Sequence, residues 1–341
     1  MIGSAFRSIV LAAILLAAMI HSSAVSAETV TLRMATWIPP MHHVHRTFTD
    51  WAAQIERSSG GTLKIVLDDA PLARAQGQYD LAENSFADLA FPVLGYTPER
   101  FQVVRGVELP FLSPSAEQGS RAIWEWYTRY VPEEEFEDIK LVTLFVHGPG
   151  ILQSKNEVRT LEDLAGLRMR VGGGGVGIAR ALGAAPVAMT ATEAHQALLR
   201  GTTEGTLFPW EAMASYRLTG LVTHHLEIPG GLYTTAFAVV MNKDRYESLS
   251  SEHQELIDRF GGAYAAGFIG RHWDEADRES REEAMANGET IRTLASNELA
   301  RWRAKMAFMD DEWIARMNER GLNGAALLNK LRDAVEKFEG M

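Results

Sequence analysis

The 341-residue chain has no cysteine, which excludes a disulfide framework, a Cys-ligated zinc or iron–sulfur centre and every thiol nucleophile. Positive charge is the minority sign, with 33 Lys and Arg against 44 Asp and Glu. Nothing here binds a nucleic-acid backbone by bulk electrostatics, and an anionic ligand would need local positive charge. Long apolar runs are absent except at residues 9–20, and that stretch is shorter than the roughly 20 residues a membrane-spanning helix requires. Arg7 precedes it and the small residues Val25, Ser26 and Ala27 follow it, so it reads as an export signal cleaved after Ala27. Removing it takes away one Arg and no acid, leaving 32 basic and 44 acidic residues and a net charge of −12. The expected product is soluble, exported and periplasmic.

Apolar residues make up 46% and charged residues 23%, a globular balance, and the length suits two domains or one two-lobed unit. Val30, Leu32 and Met34 alternate toward Trp37, predicting a first strand stopped by Pro39-Pro40. Val44, Phe48, Trp51, Ala52 and Ile55 then follow helical spacing until Gly60-Gly61, after which Leu63, Ile65 and Leu67 alternate again. Strand, helix, strand is the unit of a parallel sheet. The rhythm continues with a helix at 79–85 and strands at 87–93, 142–146, 167–171, 187–189 and 205–208, then a β-rich run at 234–242. Beyond Ser250 the pattern is nearly all helical. It opens with a capping box from Ser251 to Gln254, and Trp302, Met306, Trp313 and Met317 read as a core-facing helical stripe.

Few motifs suggest covalent chemistry. Glycines 172–175 and Gly177 contain a G-x-G-x-x-G spacing between a strand and a helix, but four consecutive glycines satisfy many spacings and no G-K-[ST] follows. The run reads better as a flexible turn that lets backbone approach a ligand closely. His42, His43 and His45 lack both an i, i+4 helical pair and a nearby carboxylate, so they are taken as surface or pocket-rim residues and no metal site is expected. No G-x-S-x-G elbow is present, and Asp68-Asp69 and Glu133-Glu134-Glu135 read as loop or helix-face charges.

The segment from Leu161 to Val171, LEDLAGLRMRV, resembles the "sLeDLkGlkiRv" segment of DctP-type substrate-binding proteins of tripartite ATP-independent periplasmic (TRAP) transporters. Further stretches agree in order: SSGGTLK at 58–64, ELPFL at 108–112, ALLRGTTEG at 197–205, and MNK at 241–243 followed by LSSEHQ at 249–254. This resemblance spans about residues 30–260. It implies an α/β clamp of two lobes, each a mixed sheet flanked by helices, with long C-terminal helices bridging them. The expected lobes are 28–146 with 235–275 returning to it, and 147–234 with helices of 276–341 packing on both.

The same resemblance implies a solute receptor, not an enzyme, without cofactor and expected as a monomer, that delivers a small organic acid to a TRAP membrane permease. Arg170 matches the family arginine that pairs with the ligand carboxylate, as a guanidinium offering parallel donors suits. Arg168 has the same strand parity, so periodicity alone does not choose between them. Phe208 stands where many relatives have asparagine, and the stretch 145–153 lacks the second arginine of dicarboxylate and sugar-acid binders. His147 is the candidate donor in its place. With Trp37, Tyr79, Phe91 and Trp210 as further candidate wall residues, the expected ligand is a monocarboxylate with an apolar or aromatic body. The alternatives are an exported dehydrogenase using the glycine run, a hydrolase, or a ligand sensor for a signalling receptor.

Overall fold

The structure, a computed structural model, describes residues 28–131 and 133–340; the expected export signal and its cleavage site lie outside the described residues. The first sheet has the order β2-β1-β3-β10-β4. Its strands are β1 (Val30–Ala35), β2 (Leu63–Leu67), β3 (Leu89–Ala90), β4 (Ile139–Val146) and β10 (Ala236–Asn242). β1 pairs in parallel with β2 and β3, while β10 runs antiparallel to β3 and β4. The second sheet has the order β11-β9-β5-β8-β6-β7. It contains β5 (Ile151–Ser154), β6 (Arg168–Val171), β7 (Ala185–Ala188), β8 (Gly205–Phe208), β9 (His224–Glu227) and β11 (Thr290–Thr293). The chain therefore crosses between the sheets at 147–150 and 228–235, and again after the long helix that leads to β11.

Twelve α-helices among the described residues cover these sheets: α1 (His43–Ser58), α2 (Gln78–Glu83), α3 (Ala116–Tyr130), α4 (Gly175–Ala181), α5 (Ala194–Leu199), α6 (Ala212–Ser215), α7 (Lys243–Glu247), α8 (Ser251–Phe260), α9 (Gly262–Ala286), α10 (Ser296–Met306), α11 (Phe308–Glu319) and α12 (Gly324–Lys337). The apolar spacing that predicts α1 buries Val44, Phe48, Trp51, Ala52 and Ile55 on one face. α9 packs on α1, α3 and β4 of the first sheet and on α6 beside the second, which makes it the main bridge. α12 lies on α3, and α10 touches α4.

Several expectations need correction. β5, β9 and β11 were not predicted. All four β5 residues are buried, so its sequence shows no alternation; β9 reads His-His-Leu-Glu without a β-branched residue; β11 is a four-residue edge strand inside a helical stretch. The helix cap at 250 is one residue earlier than expected: Ser250 accepts the amide of His253, and Ser251 is the first helical residue. Trp302, Met306, Trp313 and Met317 are buried, but α10 and α11 divide them. α9 runs unbroken through 275, so the division expected at 275/276 falls inside a helix. Glu135 is not a surface charge but a buried carboxylate accepting the amides of Gln102, Val103 and Val104, which caps the turn Val104–Glu108.

Candidate functional site

Where the sheets meet, the carboxyl ends of their parallel strands face one cavity, the place where open α/β sheets hold ligands. The cavity measures about 40 Å³, space for roughly three waters. Such a compartment suits one ring better than an extended polar chain. Trp37 follows β1, Phe91 follows β3, His147 follows β4, Arg170 sits on β6 and Phe208 ends β8; all five line it.

Arg170 is 1% exposed. β6 lies between β7 and β8, so the guanidinium reaches carbonyls on both sides: Nη2 donates to Met189 O at 3.0 Å and Nη1 to Leu207 O at 3.4 Å. Nη2 also donates to the Tyr96 hydroxyl at 3.4 Å, while Nε finds no acceptor among the described residues. No acidic side chain among the described residues approaches within 4.0 Å. A buried charge is normally paired, and this one is held by neutral dipoles with part of its donor fork free. Its Cζ lies 3.9 Å from the centroid of the Phe208 ring, which in turn stacks on Tyr216 at 5.5 Å. Arg168, two residues earlier, is exposed and pairs with Glu204 at 3.1 Å. Burial, not strand parity, separates the two arginines.

The opposite wall is aromatic. Trp37 stacks on Phe91 at 5.6 Å, Phe91 on Phe145 at 5.7 Å, and Phe237 on Trp273 at 5.3 Å. His147 is not a charged donor. Burial pushes its imidazole down to about 4, Nδ1 donates to Gly148 O at 2.5 Å and Nε2 accepts from Thr235 Oγ1 at 3.1 Å; the carbonyl can only accept, which assigns the tautomer. Both nitrogens are thus engaged in fixing the 147–150 crossing.

Two expected wall residues lie elsewhere. Trp210 points away from the cavity, its indole against His225 at 4.6 Å and its Nε1 donating to Glu227 at 3.1 Å. Strand alternation would put Trp210 on the same side as Phe208, but β8 ends at Phe208 and Trp210 lies in the turn before α6. Tyr79 packs on Phe101 at 5.3 Å beneath Arg100 at 4.2 Å, deep in the first lobe. Sequence reading missed Tyr96, Glu211, Tyr216, Tyr233, Phe237 and Trp273, which line the cavity from loops, helices and, for Phe237, β10. Tyr233 donates to Leu207 O at 2.9 Å, the carbonyl that also holds Arg170.

The histidine cluster does have a carboxylate neighbour. Glu211 Oε2 lies 3.3 Å from His43 Nε2 and 3.8 Å from His42 Nε2, a grouping of three potential metal ligands. The tautomer of His42 disfavours a metal: its Nδ1 accepts the Val44 amide at 3.2 Å as the cap of α1, so Nε2 carries the hydrogen. The glycine run also finds a physical role. A Cβ on Gly172 would lie 2.9 Å from Arg170 Nη2 and 3.0 Å from Tyr96 Oη, and Gly173, at φ +51°, has the backbone of Gly95 3.5 Å from its Cβ position. Bare backbone here lets the second lobe close on the first.

The DctP family, bacterial extracellular solute-binding protein family 7, matches residues 34–316, and the chain belongs to it. Among solved structures, a TRAP periplasmic solute-binding protein from Bordetella bronchiseptica with bound (R)- and (S)-mandelate superposes with TM-score 0.87 at 29% identity, covering 91% of this chain and 100% of the other. A TRAP solute-binding protein from Rhodoferax ferrireducens with copurified benzoate gives 0.86 at 32% identity over 91% and 98%. One from a marine metagenome, described as specific for aromatic acid ligands and holding 3-hydroxybenzoate, gives 0.86 at 32% over 92% and 99%. The expected recognition and two-lobed fold are borne out.

Proposed function

We propose that this chain is the periplasmic receptor for a single-ring aromatic monocarboxylate, which it hands to a TRAP permease. The observation that carries the reading is Arg170: a buried guanidinium without a carboxylate partner among the described residues, inside a small aromatic cavity. The ligand carboxylate would take its free donors, and the rings of Trp37, Phe91, Phe208 and Phe237 would exclude water around an apolar body. A dicarboxylate would find no second guanidinium among the lining residues. The mandelate, benzoate and 3-hydroxybenzoate complexes of the relatives support the same class.

In this reading residues 28–146 and 147–234 form the cores of two lobes that close about the crossings at 147–150 and 228–235, closure presents the surface the permease recognises, and the protein acts as a monomer without catalysis. Titration of the purified protein with benzoate, mandelate, succinate and a sugar acid tests it. Saturable binding of the aromatic acids alone is expected. Binding of succinate or the sugar acid in their place would overturn it.

A further inference from the structure

Glu211 places a negative charge in the wall of the cavity that holds Arg170, and it is 3% exposed. Burial pushes its carboxyl up, and His42 and His43 beside it draw it down below the ordinary carboxylate range. An ionised carboxylate offers about four acceptor positions. Oε2 is enclosed by protein, with His43 Nε2 at 3.3 Å and His42 Nε2 at 3.8 Å, whereas Oε1 is not enclosed and accepts no hydrogen bond of good geometry among the described residues. The His42 Nε2 hydrogen stays close to the Tyr216 hydroxyl at 3.2 Å. Glu211 lines the same cavity as Arg170, so a molecule held there can offer a donor to its carboxylate.

Resting on the aromatic-acid reading above, we propose that Glu211 is the acceptor for a hydroxyl or amino group on the ligand ring. The cavity then selects a monocarboxylate bearing one hydrogen-bond donor over the unsubstituted acid, and repels a second carboxylate. Arg170 reads the acid group and Glu211 the donor.

Calorimetric titration of the unaltered protein with benzoate, 3- and 4-hydroxybenzoate, 3-aminobenzoate, 3-methoxybenzoate and isophthalate tests this. The better donor-bearing acid should bind at least roughly tenfold tighter than benzoate, the gain expected of a hydrogen bond to a charged group. The methoxy compound, which has no hydrogen to give, should show no gain, and isophthalate should bind weakest. In Glu211→Gln the donor preference should fall to about threefold or less. Equal affinities for benzoate and every donor-bearing acid in the unaltered protein would overturn the subsite while leaving the aromatic-acid reading intact, as would an unchanged preference in Glu211→Gln. If no aromatic acid binds, both readings fall.

Discussion

The Cζ of Arg170 lies over the ring of Phe208, 3.9 Å from its centroid. This contact sets the cation against a π surface, while its Nε has no acceptor among the described residues. A side chain that would be a liability in a core is thereby fixed in place by two carbonyls and a ring. Its remaining donors await a partner that the fold does not supply.

Removing that charge should separate binding from stability. Arg170→Gln is expected to weaken aromatic-acid binding by about 100-fold or more, in the range for losing one member of a buried charge pair. The free protein should unfold at an equal or higher temperature, because a buried guanidinium without a counter-ion is itself costly. Calorimetric titration together with thermal unfolding of ligand-free protein checks both halves; a large loss of stability with unchanged affinity would refute the assignment.

Phe208→Leu retains an apolar wall but removes the π face. A cation–π contact desolvated to this extent is worth up to about 2 kcal/mol, so affinity for benzoate should fall between about threefold and thirtyfold. The measurement is the dissociation constant in parallel with the unfolding midpoint.

Gly172→Ala should reduce affinity by about tenfold while the isolated lobes remain folded. Its Cβ would sit within 3.0 Å of both Arg170 and Tyr96, at the point where the lobes meet, so strain arises chiefly in the closed state. Small-angle scattering with saturating ligand should show the variant more open than the parent.

Stability should fall on acidification below neutral pH. In the unfolded chain histidines titrate near 6.5, whereas burial lowers His147 to about 4 and His42 to about 3 in the fold. Between those values the unfolded state holds more protons, so the stabilisation is complete above pH 6.5 and is lost progressively as pH drops toward 4. Asp277 acts in the opposite sense. Burial raises its carboxyl well above the ordinary range, with Glu211 adding to the shift, so it favours the fold in acid and costs stability as pH rises. Asp277→Asn should therefore stabilise the protein at pH 7.5 and lose that advantage near pH 4. Urea midpoints across pH 4–8 for parent and variant decide the matter.

Tyr79→Phe and Trp210→Phe should leave ligand affinity within about twofold. Tyr79 is a packing residue of the first lobe, and Trp210 belongs to the His225–Glu227 side of the second. A tenfold loss in either would show that the cavity reaches further than its lining residues indicate.

Strands with a buried and an open face were readable from the chain: β1 and β2 follow their alternation, while β8 occupies the residues expected although all four are buried. β5, also buried at all four positions, shows no alternation to read. Arg170 was found through its neighbours in sequence, since the pattern alone left it equivalent to Arg168. Glu211 was unreadable as a site residue. Nothing local distinguishes it from any other helix-proximal acid, and its histidine neighbours come from the far side of the cleft.

Composition and period determined the class of fold, the absence of thiol chemistry and the aromatic character of the segments that reach the cleft, because those properties depend on residues adjacent along the chain. Tertiary structure alone decided which arginine is left without a counter-ion, that His147 is neutral, that Trp210 and Tyr79 face away, and that Glu211 stands in the same cavity wall. Charge compensation and desolvation are sums over every group within a few ångströms, and folding draws those groups from strands and helices far apart in sequence.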